Sequence, residues 1–336
     1  MMKILICGSV PSFSYHDEEV LVKGIEKELL DAGHVVDSFL LPFKHDILSL
    51  LDQILVYQMM NVSEADLLIT VGYPACTIPH RNKVIYLMET IPDLFERFDL
   101  DSYTFKYKQY CGIKDKLMKI EKKTFDEARK VFCGSSLFLK DLQQRYNIKS
   151  EVLIPPGLKA KTNEVELSVQ KDISNCFITE SILSPETDIL DMITKFKELN
   201  GKLFIFVPSA DMVYFDAVSR VIEKIGSSDR IKLIKSACPE RFISSANAYL
   251  HFDNNVRFIK SAVIRSIAAG IPIVYTEDCG AASELLRFYN NAYSCERKKL
   301  ILEVNRIKMI QSIKKELDND KLIIDFKHFA ERLVLA

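Results

Sequence analysis

Along almost the whole chain, short continuous apolar runs alternate with longer stretches whose apolar positions recur at helical spacing. A short run bounded by turn residues is the pattern of a strand buried on both faces. The longer periodic stretches read as amphipathic helices laid over such strands. Lys3 to Cys7 is the first run, and Gly8 and Ser9 open a loop after it. Glu18 to Ala32 sets Val20, Leu21, Ile25, Leu29 and Leu30 on one side of a helix that Gly33 closes, and His34 to Leu41 is the next strand. Strand, loop, helix and strand make a βαβ unit at the start. The alternation then predicts a helix over Asp46 to Met60 and strands over Ala65 to Val71 and Lys83 to Met88. Ser102 to Arg129 follows as one long helix or two shorter ones. A strand at Lys130 to Gly134, a helix at Leu137 to Tyr146 and a strand at Glu151 to Ile154 complete this half.

Pro155, Pro156 and Gly157 then break regular structure, and a polar stretch follows, which marks a domain boundary. Beyond it, strands are expected at Cys176 to Thr179, Lys202 to Val207, Ile231 to Ile234, Tyr249 to Phe252 and Ile273 to Tyr275. Helices are expected at Asp211 to Ile225, Pro239 to Ser245, Ser261 to Ala269 and from Ser283. The tail, Ile301 to Leu335, reads as helices. The fold class is therefore α/β, with one doubly wound sheet in 1–156, a second in 172–320 and a terminal segment 321–336.

Composition narrows the function. A length of 336 residues is long for one domain and comfortable for two. A formal net charge of −1, with acids and bases mixed along the chain, argues against a nucleic-acid binder driven by bulk charge. The eight cysteines have no Cys-x-x-Cys spacing and lie mostly in apolar runs. They read as small buried hydrophobes in a reducing cytosol, ahead of metal ligands or disulfides. The opening MMKILICGS lacks the long apolar core of a secretory signal, and no apolar run approaches the ~18–20 residues that span a bilayer. The chain reads as soluble and cytoplasmic. Contact with a membrane face would use a surface patch such as the Lys-rich stretch Lys106 to Lys130.

The best-marked stretch is Asn254 to Glu284. A short helix stops at Gly270, Pro272 starts the strand Ile273 to Tyr275, and a polar loop, Thr276 to Ala282, follows. Gly270 suits the left-handed turn that ends a helix, and a loop at a strand's carboxyl end suits a ligand. Ala268, Ala269, Gly270, Pro272, Ile273, Val274, Gly280 and Glu284 resemble the "EA-x-A-x-G-x-P-V-V … G … E" pattern of family-4 retaining glycosyltransferases. Leu183, Ser184, Pro185, Glu186, Asp191 and Phe196 are similar to that family's "GRLSPEKGxDLLIxAF". The resemblance implies the GT-B fold, two Rossmann-like domains facing across a cleft, with a terminal helix crossing back to the first domain. It implies a nucleotide-sugar donor, a glycan, lipid-linked or small-molecule acceptor, and no metal or other cofactor.

At four diagnostic positions the chain departs from the family. Its Glu-x7-Glu carboxylates are Arg257 and Arg265 here, and its diphosphate-holding Arg and Lys are Ile182 and Thr187. Cations near the start of the Ser261 helix then become the donor-site candidates: Arg257, Lys260 and Arg265, with Ser261 and the helix N-terminus beside them. Lys235, Glu277, Gly280 and Glu284 complete the donor set. On the acceptor side the resemblance points to the loop after the first strand, with Gly8, Ser9, Ser12, Ser14 and His16, to Thr90 and to Ser135. Glu89 and His16 are the catalytic candidates. Each has an ordinary reading as well. Ser and Asp near Gly8 serve as turn residues and helix caps, Glu89 and Thr90 as caps of a following helix, and Ser136 as a plain N-cap. Three functions stay open: an active transferase with a rearranged donor site, a non-catalytic GT-B partner of a glycosyltransferase, and another nucleotide-clamping enzyme such as a sugar epimerase.

Overall fold

The computed structural model describes residues 1–10, 17–44, 49–88, 90, 107–156, 175–181, 183, 189–208, 212–236, 238–252, 259–296, 299, 304 and 325–336. The chain divides into two units, Met1–Pro156 with Ile324–Ala336, and Gly157–Ile323. The first unit runs β1 (Lys3–Val10), α1 (Asp17–Asp31), β2 (Val35–Pro42), α2 (Leu50–Gln58), β3 (Leu67–Val71), a 3-10 turn (Ala75–Thr77), β4 (Lys83–Leu87), α3 (Tyr107–Asp126), β5 (Lys130–Cys133), α4 (Ser136–Tyr146) and β6 (Ser150–Val152). Its six strands lie in the order β2-β1-β3-β4-β5-β6, every neighbouring pair parallel.

The second unit runs β7 (Cys176–Glu180), α5 (Ile189–Phe196), β8 (Lys202–Phe206), α6 (Met212–Lys224), β9 (Ile231–Ile234), α7 (Glu240–Ser245), β10 (Ala248–His251), α8 (Ser261–Ala268), β11 (Ile273–Thr276), α9 (Ala282–Leu286) and β12 (Ala292–Cys295). Its order is β12-β11-β10-β7-β8-β9, again parallel throughout. A last helix, α10 (Phe326–Leu335), belongs to the first unit.

Burial explains why the apolar runs became strands. Every residue of β3, β4, β7, β10 and β11 is buried, as a strand covered by helices on both faces must be. Helices add their own faces: Ile189, Met192, Ile193 and Phe196 of α5 enter the core of the second unit with Phe177, Leu203 and Val218. Cys7, Cys76, Cys133, Cys176, Cys238, Cys279 and Cys295 are buried free thiols. Gly270 ends α8 with φ of 70°, the left-handed turn its position predicts.

The structure departs from the sequence pattern at α5, a helix over Ile189–Phe196 where none is expected, and at two strands. β1 continues through Gly8 and Ser9 to Val10, where a loop is expected, and Gly8 pairs with Leu40 and Val71. A Cβ at Gly8 would approach Leu40 to 2.7 Å and Val22 to 2.9 Å, so the missing side chain lets β1 lie close to β2 and α1. β12 has no counterpart in the expected elements. It is a half-exposed edge strand, so it carries neither a continuous apolar run nor an alternation.

Helix α10 docks on the first unit through side chains. Phe329 is fully buried, edge-on to Tyr86 at 5.0 Å between ring centres. Arg332 lies over the Phe132 ring at 5.9 Å and pairs with Glu151 at 3.0 Å. Gly24 of α1 makes room for Phe326: a Cβ there would meet the ring at 2.0 Å. Two substitutions test this packing by denaturant unfolding. Phe329→Ala is expected to cost about 3–5 kcal/mol by leaving a cavity, and Gly24→Val about 1–3 kcal/mol by overpacking.

Candidate functional site

In the second unit the chain lays down β7, β8 and β9 in one direction and then returns to place β10, β11 and β12 in the other. The connections leaving β7 and β10 therefore diverge, and the carboxyl ends of those two strands border a crevice where open α/β sheets take ligands. Glu180 ends β7, His251 ends β10, and α8 begins beyond β10.

A buried charged cluster occupies this point. The Glu180 carboxylate accepts a hydrogen bond from the Cys238 amide at 2.8 Å and lies 3.5 Å from the Arg265 guanidinium. Arg265, 2% exposed, donates to the Cys238 carbonyl at 2.6 Å. The two side chains thus hold both backbone groups of one residue, in the segment between β9 and α7. Lys260 is 6% exposed, and its ammonium donates to the Glu180 carbonyl at 3.2 Å. Lys260 occupies the N-cap of α8 and makes no side-chain cap hydrogen bond there. A cation at the positive end of a helix is opposed by the helix dipole. Ser261 follows it, also buried.

The other donor-side candidates line neighbouring strand ends. Lys235 is exposed just past β9, and Glu277 is exposed just past β11. Gly280, with φ of 70°, accepts the Ser283 hydroxyl hydrogen bond at 2.7 Å, and half-buried Glu284 lies in the first turn of α9. Arg257, Ile182 and Thr187 lie outside the described residues.

In the first unit the strand order reverses beside β1, between it and β3. Ser9, buried near the end of β1, accepts from the Ala75 amide at 2.9 Å and so anchors the 3-10 turn that follows β3. Gly8 lies within β1, as described. Ser135 is the N-cap of α4, its hydroxyl accepting from the Phe138 amide at 3.0 Å. Thr90 is fully buried. Ser12, Ser14, His16 and Glu89 lie outside the described residues. A separate groove of about 730 Å³, lined by Met60, Asn61, Ser63, His80, Arg81 and Glu127, opens at the amino-terminal ends of β3 and β4, away from these strand ends. Among the described residues no helix is long and apolar enough to cross a membrane.

The sequence pattern does not single out Glu180 or Cys238. Glu180 nevertheless left a signal, as a lone carboxylate closing an otherwise uncharged buried strand. Cys238 left none, because its backbone, not its side chain, is what the charges hold.

No family model matches the chain, and no curated protein matches it by sequence. Solved structures do match in fold. HepE from Anabaena, in complex with UDP and glucose, superposes with a TM-score of 0.64 at 15% identity, over 100% of this chain and 97% of that one. WaaG, a glycosyltransferase involved in lipopolysaccharide biosynthesis, gives 0.59 at 16% identity, over 98% and 94%. The catalytic domain of starch synthase IV from Arabidopsis thaliana, bound to ADP and acarbose, gives 0.60 at 10% identity, over 100% of both chains. Two Rossmann-like units with parallel six-stranded sheets and these neighbours define the fold as GT-B.

The capping geometry of Ser135 yields a direct check. Ser135→Ala is expected to lower unfolding free energy by about 1 kcal/mol, measured in urea, and Ser135→Asp to keep most of it.

Proposed function

We propose that this chain is a glycosyltransferase that moves a sugar from a nucleotide-sugar donor to an acceptor hydroxyl without a metal ion. The observation that carries the reading is Lys260. Its buried ammonium is held at the carboxyl end of β7, and its backbone is the N-cap of α8. A buried cation and a helix N-terminus at one topological switch point both favour an anion, and a diphosphate leaving group is such an anion. The neighbours of the same fold described with UDP and with ADP support that ligand class.

In this reading Lys260 and the first turn of α8 stabilise charge as it develops on the departing diphosphate. Arg257 adds a second cation on the segment entering α8. Glu277 and Glu284 serve the nucleoside, and Gly280 leaves room for it. The first unit takes the acceptor, a glycan, a lipid-linked sugar or a small molecule, through the strand-end residues Ser9 and Thr90, with Glu89 and His16 as the groups that handle the acceptor proton. Product analysis with a matched donor and acceptor gives the stereochemical outcome, for which retention is expected.

Nucleotide binding tests the proposal. A ligand that binds only the native state stabilises it by about 2.7 kcal/mol at one hundred times its Kd. UDP, ADP or GDP is therefore expected to raise the melting temperature, and Lys260→Ala to weaken that binding about 10- to 100-fold through loss of a charged hydrogen bond. Absence of binding by all three in the wild-type chain would leave a non-catalytic GT-B protein. Glu89→Gln is expected to abolish turnover with the melting temperature unchanged.

A further inference from the structure

Glu180 and Arg265 are both buried, and each hydrogen-bonds a backbone group of the same residue, Cys238. The carboxylate takes the Cys238 amide and the guanidinium takes the Cys238 carbonyl, while the two charges stand 3.5 Å apart. The peptide they grip leads from β9 into α7, and Arg265 belongs to α8, so the pair ties three elements at the switch point. Lys260 joins the same point through the carbonyl of Glu180.

A buried ion pair is a poor way to gain stability alone, because apolar side chains of similar volume serve as well or better. The surrounding sheet uses such side chains freely: Ile178, Phe206 and Leu250 are all fully buried. What apolar groups cannot supply is direction. Hydrogen bonds to both backbone groups of Cys238 fix its position and its orientation together.

We infer that Glu180 and Arg265 are positioning residues: through Cys238 they set the end of β9 and the first turn of α8 in the arrangement that a diphosphate meets. Arg265 acts through this clasp and not by touching the ligand. The inference rests on the nucleotide reading of the same site and adds to it the residues that hold the site in shape.

The test compares the wild-type chain with Glu180→Gln, Arg265→Met and the double variant, using UDP, ADP and GDP as probes. Three quantities are read: nucleotide affinity by calorimetry, amide hydrogen exchange at Cys238, and melting temperature. Each single variant is expected to bind nucleotide about tenfold more weakly and to exchange the Cys238 amide faster, with exchange in β7 and β8 unchanged. The double variant is expected to fall no further than the single ones, since the pair acts as a unit. It is also expected to melt close to the wild type, because a neutral pair leaves no lone buried charge. A merely structural pair would shift melting and leave affinity alone, and that result overturns the inference. Wild-type binding with equal affinity in all variants also overturns it while leaving the nucleotide reading intact. If the wild type binds none of the probes, the nucleotide reading fails, and Cys238 exchange decides the clasp: faster exchange in Glu180→Gln upholds it, and unchanged exchange removes it.

Discussion

Parallel pairing governs this molecule. Two neighbouring parallel strands cannot be joined by a tight turn, so each connection crosses back over the sheet, usually as a helix. Those helices cover both faces, and the strands between them are buried from end to end, as β3, β4, β7, β10 and β11 are. Polar groups are then left to the strand ends. Where successive connections diverge, beside β1 in one unit and between β7 and β10 in the other, those polar strand ends border a crevice. The places where chemistry can happen are a consequence of the pairing.

The charges at the second of these places follow from the same constraint. Glu180, Lys260 and Arg265 sit at the margin of a core that excludes water, so each needs partners with good geometry. Cys238 and the carbonyl of Glu180 supply them. In this chain the carboxylate stands at the end of β7 and the guanidinium on α8, 3.5 Å apart.

The clearest agreements between pattern and structure lie where burial acts on a single strand. Ile231 to Ile234 and Ser261 onward start where the pattern places them, and Gly270 turns the chain left-handed as a helix-ending glycine should. Disagreements arise where a distant neighbour decides. Gly8 looks like a turn until Leu40 and Val22 are seen to need its space. β12 is an edge strand, and one-sided exposure removes the apolar run that would announce it. The cap of α4 is a local exception: Ser135 fills it where Ser136 is expected, because Ser135 holds the extended backbone of the helix entry and Ser136 is already helical.

Alternation of apolar runs and amphipathic stretches was enough to determine the kind and order of most elements, the break at Pro155–Gly157 and the α/β class, because those depend on burial summed over neighbours in the chain. Which carboxylate would meet which cation was settled only in three dimensions. Glu180, Cys238 and Arg265 lie on separate elements, and they meet because β10 returns to the far side of β7 and carries α8 over the end of that strand.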